Sequence, residues 1–248
     1  MKSFMLKILF ILSLVIICGD YSYAADNNSL SLSLPDEGIF SSRILQILFL
    51  ITTLSIAPSL LMTVTAFTRI TIVLSFLRSA LGAQQTPPNM VIMGLSLFIT
   101  LFVMMPTFKA AYYEGIEPAL EHTIDEQEAL EKIYQPFYNF MYNNTREKDL
   151  VNFITIADKK IDPAKDQIPF EILVPSFMVS ELRRAFYIGF LIFVPFLVID
   201  LLVASILMAM GMMMLPPVTI SLPFKIIFFV LIDGWLLLTD GLIKGFNF

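Results

Sequence analysis

The residues best placed to do chemistry in this sequence are ionisable side chains set inside apolar stretches. Asp200 lies in the run from Ala185 to Met210, and Lys225, Asp233 and Asp240 lie in the run from Leu222 to Phe246. A carboxylate there is costly to ionise, so it either relays protons or is held by a counter-charge. A relay needs acids that face one another, and counting from the intervening turn puts Asp200 and Asp233 at similar depth in an antiparallel hairpin. On that count Lys225 lies nearer the turn by about seven residues, roughly 10 Å of helical rise. Depth therefore argues against Lys225 as the partner of Asp200 and leaves Arg183 or an arginine of another helix. Structural pairing is the preferred reading, because proton-coupled transporters usually carry internal repeats with matching broken helices, and the two halves of this chain do not match.

Other catalytic chemistry is poorly supplied. The single histidine, His122, sits in a charged amphipathic segment, and the single cysteine, Cys18, lies near the N-terminus. The signatures of zinc proteases, serine hydrolases, dinucleotide binding and P-loops are missing. A zinc site would need an unusual carboxylate-rich ligand set. No enzyme, cofactor or metal is expected, and His122 reads as a solvated surface residue. The formal charge of −5 and the lack of a basic cluster exclude nucleic acid as a partner.

A different chemistry is suggested by "MAMGMMMLPPVT", Met208 to Thr219, with five methionines around Gly211 before Pro216 and Pro217. Methionine is flexible and specifies packing poorly, which makes it a gap-filler but also a material for adaptable surfaces. Gly211 relaxes the helix end and the prolines stop continuation, leaving Met212, Met213 and Met214 at an apex. Repeated around an axis, such apices would form a soft ring able to close when empty and mould around different chains. An apex set among lipids would use methionine equally well.

The elements that position these residues follow from hydropathy. The chain has 248 residues, 57% hydrophobic and 15% charged, against about 25% charged in an average soluble domain. It reads as an all-α, membrane-associated protein. Lys2 and Lys7, the apolar run Ile8 to Cys18 and the small-residue site before Ala24 predict a signal peptide over 1–24, cleaved between Ala24 and Ala25; an uncleaved anchor is the competing reading. Cleavage would remove Cys18. Residues 25–42 form a polar leader.

Apolar helices are expected over 43–108. Pro58 should divide Ile44–Ala57 from Ser59–Leu81, and Met90–Phe108 should follow the turn "GAQQTPPN". Thr63, Thr65, Thr68, Thr71 and Ser75, beside Arg69 and Arg78, indicate that part of the second helix faces protein or water. A polar, acidic insert covers 109–184. In it Leu130, Ile133, Tyr134, Phe137 and Met141 fall on one helical face, with Thr123 and Glu126 spaced as a capping box. Leu150, Phe153, Ile154 and Ala157 mark a second helix. Pro163, Pro169 and Pro175 predict an extended connector, after which 185–248 form a helical hairpin around the methionine turn.

A cleaved signal places the insert and the C-terminus outside. The two cytoplasmic turns then carry no Lys or Arg, while Arg183 and Arg184 flank a span on the outer side, against the positive-inside rule. Either the topology differs or these helices are not ordinary lipid-embedded spans.

The run "PSFMVSELRRAFYIGFLIFVPFLVIDLLVASILMAMGMMMLPPVTISLPFKIIFFVLIDGW", with "FTRITIVLSFLRSALGAQQTPPN" and "QPFYNFM" upstream, closely resembles the FliP family of type III secretion export gates. The signal peptide favours its flagellar branch over the injectisome relatives. The resemblance implies a non-enzymatic subunit in the bacterial inner membrane at the flagellar basal body. Several copies would assemble with FliQ-like and FliR-like subunits, among the other export-apparatus proteins, into a ring passing unfolded flagellar subunits. It also implies that Gly211 and Met212 to Met214 line the constriction, that Glu181 of "SEL" and Lys225 of "PFK" serve contacts between subunits, and that the helices are lifted out of the bilayer in the finished ring. The doubled arginine after "SEL" departs from the single basic residue frequent in that family and leaves the partner of Glu181 open. Arg69, Asp200 and Asp233 join the candidate buried charges.

Overall fold

The computed structural model describes residues 51, 52, 55, 59, 62–82, 86–159, 161, 163, 166–212 and 215–246. The cleavage site at Ala24 and Ala25, the polar leader and the Pro58 break lie outside them. The described residues contain helices and connecting turns and no strand, as the all-α reading expects. In chain order the helices are α1 (Phe67–Leu81), α2 (Asn89–Val103), α3 (Met105–Ala110), a π-helical turn (Ala111–Ile116), α4 (Glu117–Leu120), α5 (Glu126–Asn144), α6 (Glu147–Ile156), α7 (Phe170–Ala209), α8 (Pro217–Leu231) and α9 (Gly234–Lys244).

Several boundaries differ from the sequence reading, each for a local reason. The chain does not run as one helix from Ser59 to Leu81: Val64 to Ala66 form a turn. Here the Thr65 hydroxyl accepts the Phe67 amide at 3.4 Å, giving the backbone an alternative to the helical bond. The Met90–Phe108 helix is bent by 58° between α2 and the segment Met105–Leu120, where Pro106 removes an amide from the ladder. The capping box is not made. The Thr123 hydroxyl donates instead to the Pro118 carbonyl at 2.9 Å, and α5 starts after Asp125. On α5 the buried apolar face is Ala129, Tyr138, Phe140 and Met141, while Leu130 is exposed.

The largest difference is α7, which is helical from Phe170 and crosses the 184/185 boundary without a break. Pro169 serves as its N-cap. Pro175 costs only the bond to the Glu171 carbonyl, and Glu171 is solvent-exposed in the first turn, so water can satisfy that group. Among the described residues α7 is the one continuous helix long and apolar enough to cross a membrane; α2 with α3–α4, and α8 with α9, qualify only as bent pairs. The predicted Leu222–Phe246 helix is such a pair, broken by 62° at Asp233, whose φ is 51°.

The core lies where α1 packs along α7. Ile70, Val73 and Leu74 of α1 meet Leu173, Phe177 and Ala185 of α7, joined by Phe140 and Met141 of α5 and Leu242 of α9. A second cluster sits further along, with Leu77, Ala80 and Leu81 against Phe196 and Phe229. Gly189 sets the spacing of α1 and α7: a Cβ there would lie 2.6 Å from the Phe76 ring.

This close approach generates a stability prediction. Gly189→Ala should destabilise the purified protein by about 1–3 kcal/mol through overpacking, read as a lower melting temperature in detergent. Phe76→Leu should recover part of that loss in the double variant. Simple additivity of the two effects would show that Gly189 and Phe76 are not coupled.

Candidate functional site: two buried ion pairs and a methionine hairpin

Helix α1 is tied to α7 by one charge near its start and to the α7–α8 hairpin by another at its end. Arg69, in the first turn of α1 and 1% exposed, forks onto the fully buried carboxylate of Glu181. Its Nε donates to Oε2 at 2.7 Å and its Nη2 to Oε1. Its Nη1 donates to the Gly245 carbonyl at 2.8 Å, and the guanidinium carbon lies 3.7 Å above the centre of the Phe246 ring. One arginine thus joins α1, α7 and the segment that follows α9. A cation at a helix start opposes the helix dipole; the bidentate carboxylate offsets this.

At the other end Lys225 of α8, 2% exposed, donates to the Ala80 carbonyl at 3.1 Å and to Asp200 Oδ2 at 2.7 Å. Ser221, one turn earlier on α8, donates to the other Asp200 oxygen. Here the cation meets the C-terminus of α1, the favourable end of the dipole. The expectation that depth separates Asp200 from Lys225 is thereby corrected. Asp200 lies nine residues before α7 ends at Ala209, and Lys225 eight residues after α8 starts at Pro217, so the two face each other across the hairpin.

A third, smaller network pins α6 to α7. Ser180 donates to Asp149 Oδ2 at 2.9 Å and accepts the Arg146 amide at 3.1 Å. Arg183 approaches the other Asp149 oxygen at 3.3 Å.

Asp233 does not join Asp200. It is exposed at the α8–α9 break, where its backbone bonds bridge the bend, whereas Asp200 is held by Ser221 and Lys225. Two facing acids, the geometry a relay requires, are not assembled. His122 is exposed in the turn after α4, and no group of three or more His, Cys, Asp or Glu converges as metal ligands among the described residues.

The hairpin apex follows from its residue types. Met210 ends α7, Gly211 takes φ 74° with open space around it, and the Gly211 and Met212 amides bond back to the Met208 and Leu207 carbonyls at 3.1 and 3.0 Å. This is a C-terminal closure that needs a left-handed residue at Gly211. Pro216 and Pro217 then start α8, where a missing amide costs nothing. Met208, Met210 and Met212 are 59%, 62% and 44% exposed. Met213 and Met214 lie outside the described residues.

A helical hairpin with a methionine apex, locked to α1 by the SEL glutamate and the PFK lysine, fits the family resemblance drawn from the sequence, and the FliP family model matches residues 50–242. The chain belongs to the FliP family. It is 50% identical to the flagellar biosynthetic protein FliP of Rhizobium meliloti strain 1021 over 232 residues, 93% of each chain. Identity is also 50% to that of Agrobacterium fabrum strain C58, over 85% of this chain and 87% of the relative. With that of Bacillus subtilis strain 168 it is 49%, over 83% and 93%.

In this FliP-family chain Glu181 and Lys225 already have partners within one subunit, Arg69 and Asp200. The sequence reading missed the Gly245 carbonyl, the Phe246 ring and the Ala80 carbonyl, since a backbone acceptor leaves no signature in residue type. Asp149 carried a weak signal, as an acid next to the first apolar position of an amphipathic helix.

Removing one member of the inner pair should be far worse than removing both. Glu181→Ala leaves Arg69 buried and unpaired, with an expected cost of about 3–5 kcal/mol, seen as loss of the full-length protein from membranes. The apolar double variant Arg69→Met/Glu181→Leu should recover most of that level. Equal loss in both would mean that the charges serve something other than their mutual compensation.

Proposed function

We propose that this chain is a non-enzymatic, pore-forming subunit of the flagellar type III protein export gate. Several copies assemble with FliQ-like and FliR-like subunits in the bacterial inner membrane, at the flagellar basal body, and pass unfolded flagellar subunits. The observation that carries this reading is the methionine hairpin: side chains of low packing specificity stand exposed at the tip of a two-helix arm whose base is fixed by a buried ion pair. A core would hide such side chains; a gasket must present them. Membership of the FliP family and the name shared by its relatives support the flagellar setting.

In this mechanism Gly211 and Met212 to Met214 form the constriction. Each thioether chain has three rotatable bonds and a polarisable sulfur, so a ring of them closes against itself without a fixed pattern of contacts and yields to whichever side chain passes. Hydrogen-bonding groups at the same place would instead select among substrates. Lys225 and Asp200 hold the arm in register with α1. The chain contributes passage and closure, and the driving energy is supplied by other components.

Met212→Cys, co-expressed with the partner subunits and oxidised after purification, tests the shared constriction. Disulfide formation requires Cα atoms within about 7 Å, and one thiol per copy can form one bond, so disulfide-linked pairs of copies are expected; an intact oligomer without cross-links would place the apices apart. Replacing Met212, Met213 and Met214 together by alanine should then make cells leaky to ions at preserved complex yield. Unchanged permeability would move the seal elsewhere.

A further inference from the structure

Four arginines gather near the middle of α7, just before its long uncharged run. Arg69, Arg146, Arg183 and Arg184, with Tyr187, Ile188 and Gly245, line an open cavity of about 600 Å³. Arg69 is neutralised by Glu181, and Arg183 faces Asp149. The guanidiniums of Arg146 and Arg184 have neither a hydrogen bond nor an ion pair among the described residues. Both are only partly exposed. Four cations against two carboxylates leave two positive charges uncompensated in a partly desolvated recess, which attracts an anion strongly.

Ile188 also lines a second cavity. That one is almost wholly apolar, about 350 Å³, bounded by Leu77, Ile192, Phe196, Phe229 and Leu238 among others. The basic recess and the apolar cavity therefore adjoin at Ile188, along the same face of α7. Beside the junction Phe186, Tyr187, Phe190 and Leu191 are each more than half exposed, an arrangement of aromatic and basic residues typical of a membrane–water boundary.

We propose that this composite site binds one anionic phospholipid. Its headgroup phosphate sits on the Arg146 and Arg184 guanidiniums, and one acyl chain lies past Ile188 in the apolar channel. Arginine presents paired donors to phosphate oxygens in a planar fork, and a basic pocket between helices is a known form of headgroup site. A carboxylate from a second protein chain would satisfy the arginines but would leave the channel empty. Two adjoining cavities, one basic and one apolar, that share Ile188 favour a ligand that is anionic at one end and apolar at the other. The site is independent of the pore reading, since it lies along α7 away from the methionine apex.

The test uses the full chain purified in a mild neutral detergent from bacterial membranes. Quantitative lipid mass spectrometry should find phosphatidylglycerol and cardiolipin enriched at least about fivefold over phosphatidylethanolamine, relative to the membrane extract. Arg146→Gln/Arg184→Gln, which spares both paired arginines, should abolish the enrichment while the melting temperature stays within a few degrees in lipid-free detergent. Titration with dioleoyl phosphatidylglycerol should saturate at one molecule per chain. The dihexanoyl form should bind at least tenfold more weakly if the channel holds an acyl chain. Equal enrichment in wild type and variant, or none, would overturn the proposal. So would equal affinity for both chain lengths, or for inorganic phosphate, which would reduce the site to a simple anion hole. Arginines that resist modification only in the assembled complex, with no retained lipid, would assign the recess to a protein carboxylate.

Discussion

Burying Arg69 is the constraint on which the rest of the structure depends. A guanidinium taken out of water is tolerated only when it is paired and hydrogen-bonded, and the partners come from two separated parts of the chain: Glu181 on α7, and the Gly245 carbonyl with the ring of Phe246 after α9. Satisfying one side chain therefore fixes α1 against α7 and returns the end of α9 to the same point. The apolar contacts around it, Ile70 and Val73 with Leu173 and Phe177, supply the area that favours burial but little orientation. The fork supplies the register.

The second ion pair extends that register toward the hairpin. Glu181 and Asp200 lie on the same helix, nineteen residues apart, or about 28 Å at 1.5 Å per residue. Between them α7 is mostly exposed along its outer face, with Phe190, Leu191 and Leu197 uncovered. A helix with so little cover would be free to tilt if it were fixed at one end alone. Lys225 prevents this by joining Asp200, the C-terminal carbonyl of Ala80 and, through its own helix, α8. The outer face is left exposed within the subunit, and the inner face packs on α1.

How much of this was legible in the sequence depended on the kind of signal. Apolar runs, the acidic insert and the methionine turn are composition, and composition is read directly; the helical class followed from it. Lys225 stood out as a charge in an apolar run, and family resemblance added Glu181, whose partner stayed open. Helix ends were harder. Pro175 looks like a breaker, yet it falls where the lost hydrogen bond belongs to an exposed first-turn carbonyl, so tertiary burial of Ile172, Leu173 and Phe177 outweighs it. Asp233 looked like a buried acid because its neighbours are apolar. In fact it occupies a left-handed turn at a helix break, a conformation that Asp tolerates better than a branched residue. The pairing of Asp200 with Lys225 depended on where two helices end, the feature that periodicity defines least well.

The same comparison separates charges that hold the fold from charges that remain available. Arg69, Glu181, Asp149, Asp200 and Lys225 each meet a specific counter-charge at short range, and each is at least largely buried. Such groups have little left to offer a partner, whatever their position in the sequence. Arg146 and Arg184 are different, because they sit beside satisfied pairs and neither guanidinium has an ion pair among the described residues. Two such charges in a partly desolvated recess at the edge of an apolar cavity carry an electrostatic cost within the subunit, and a bound anion offsets it.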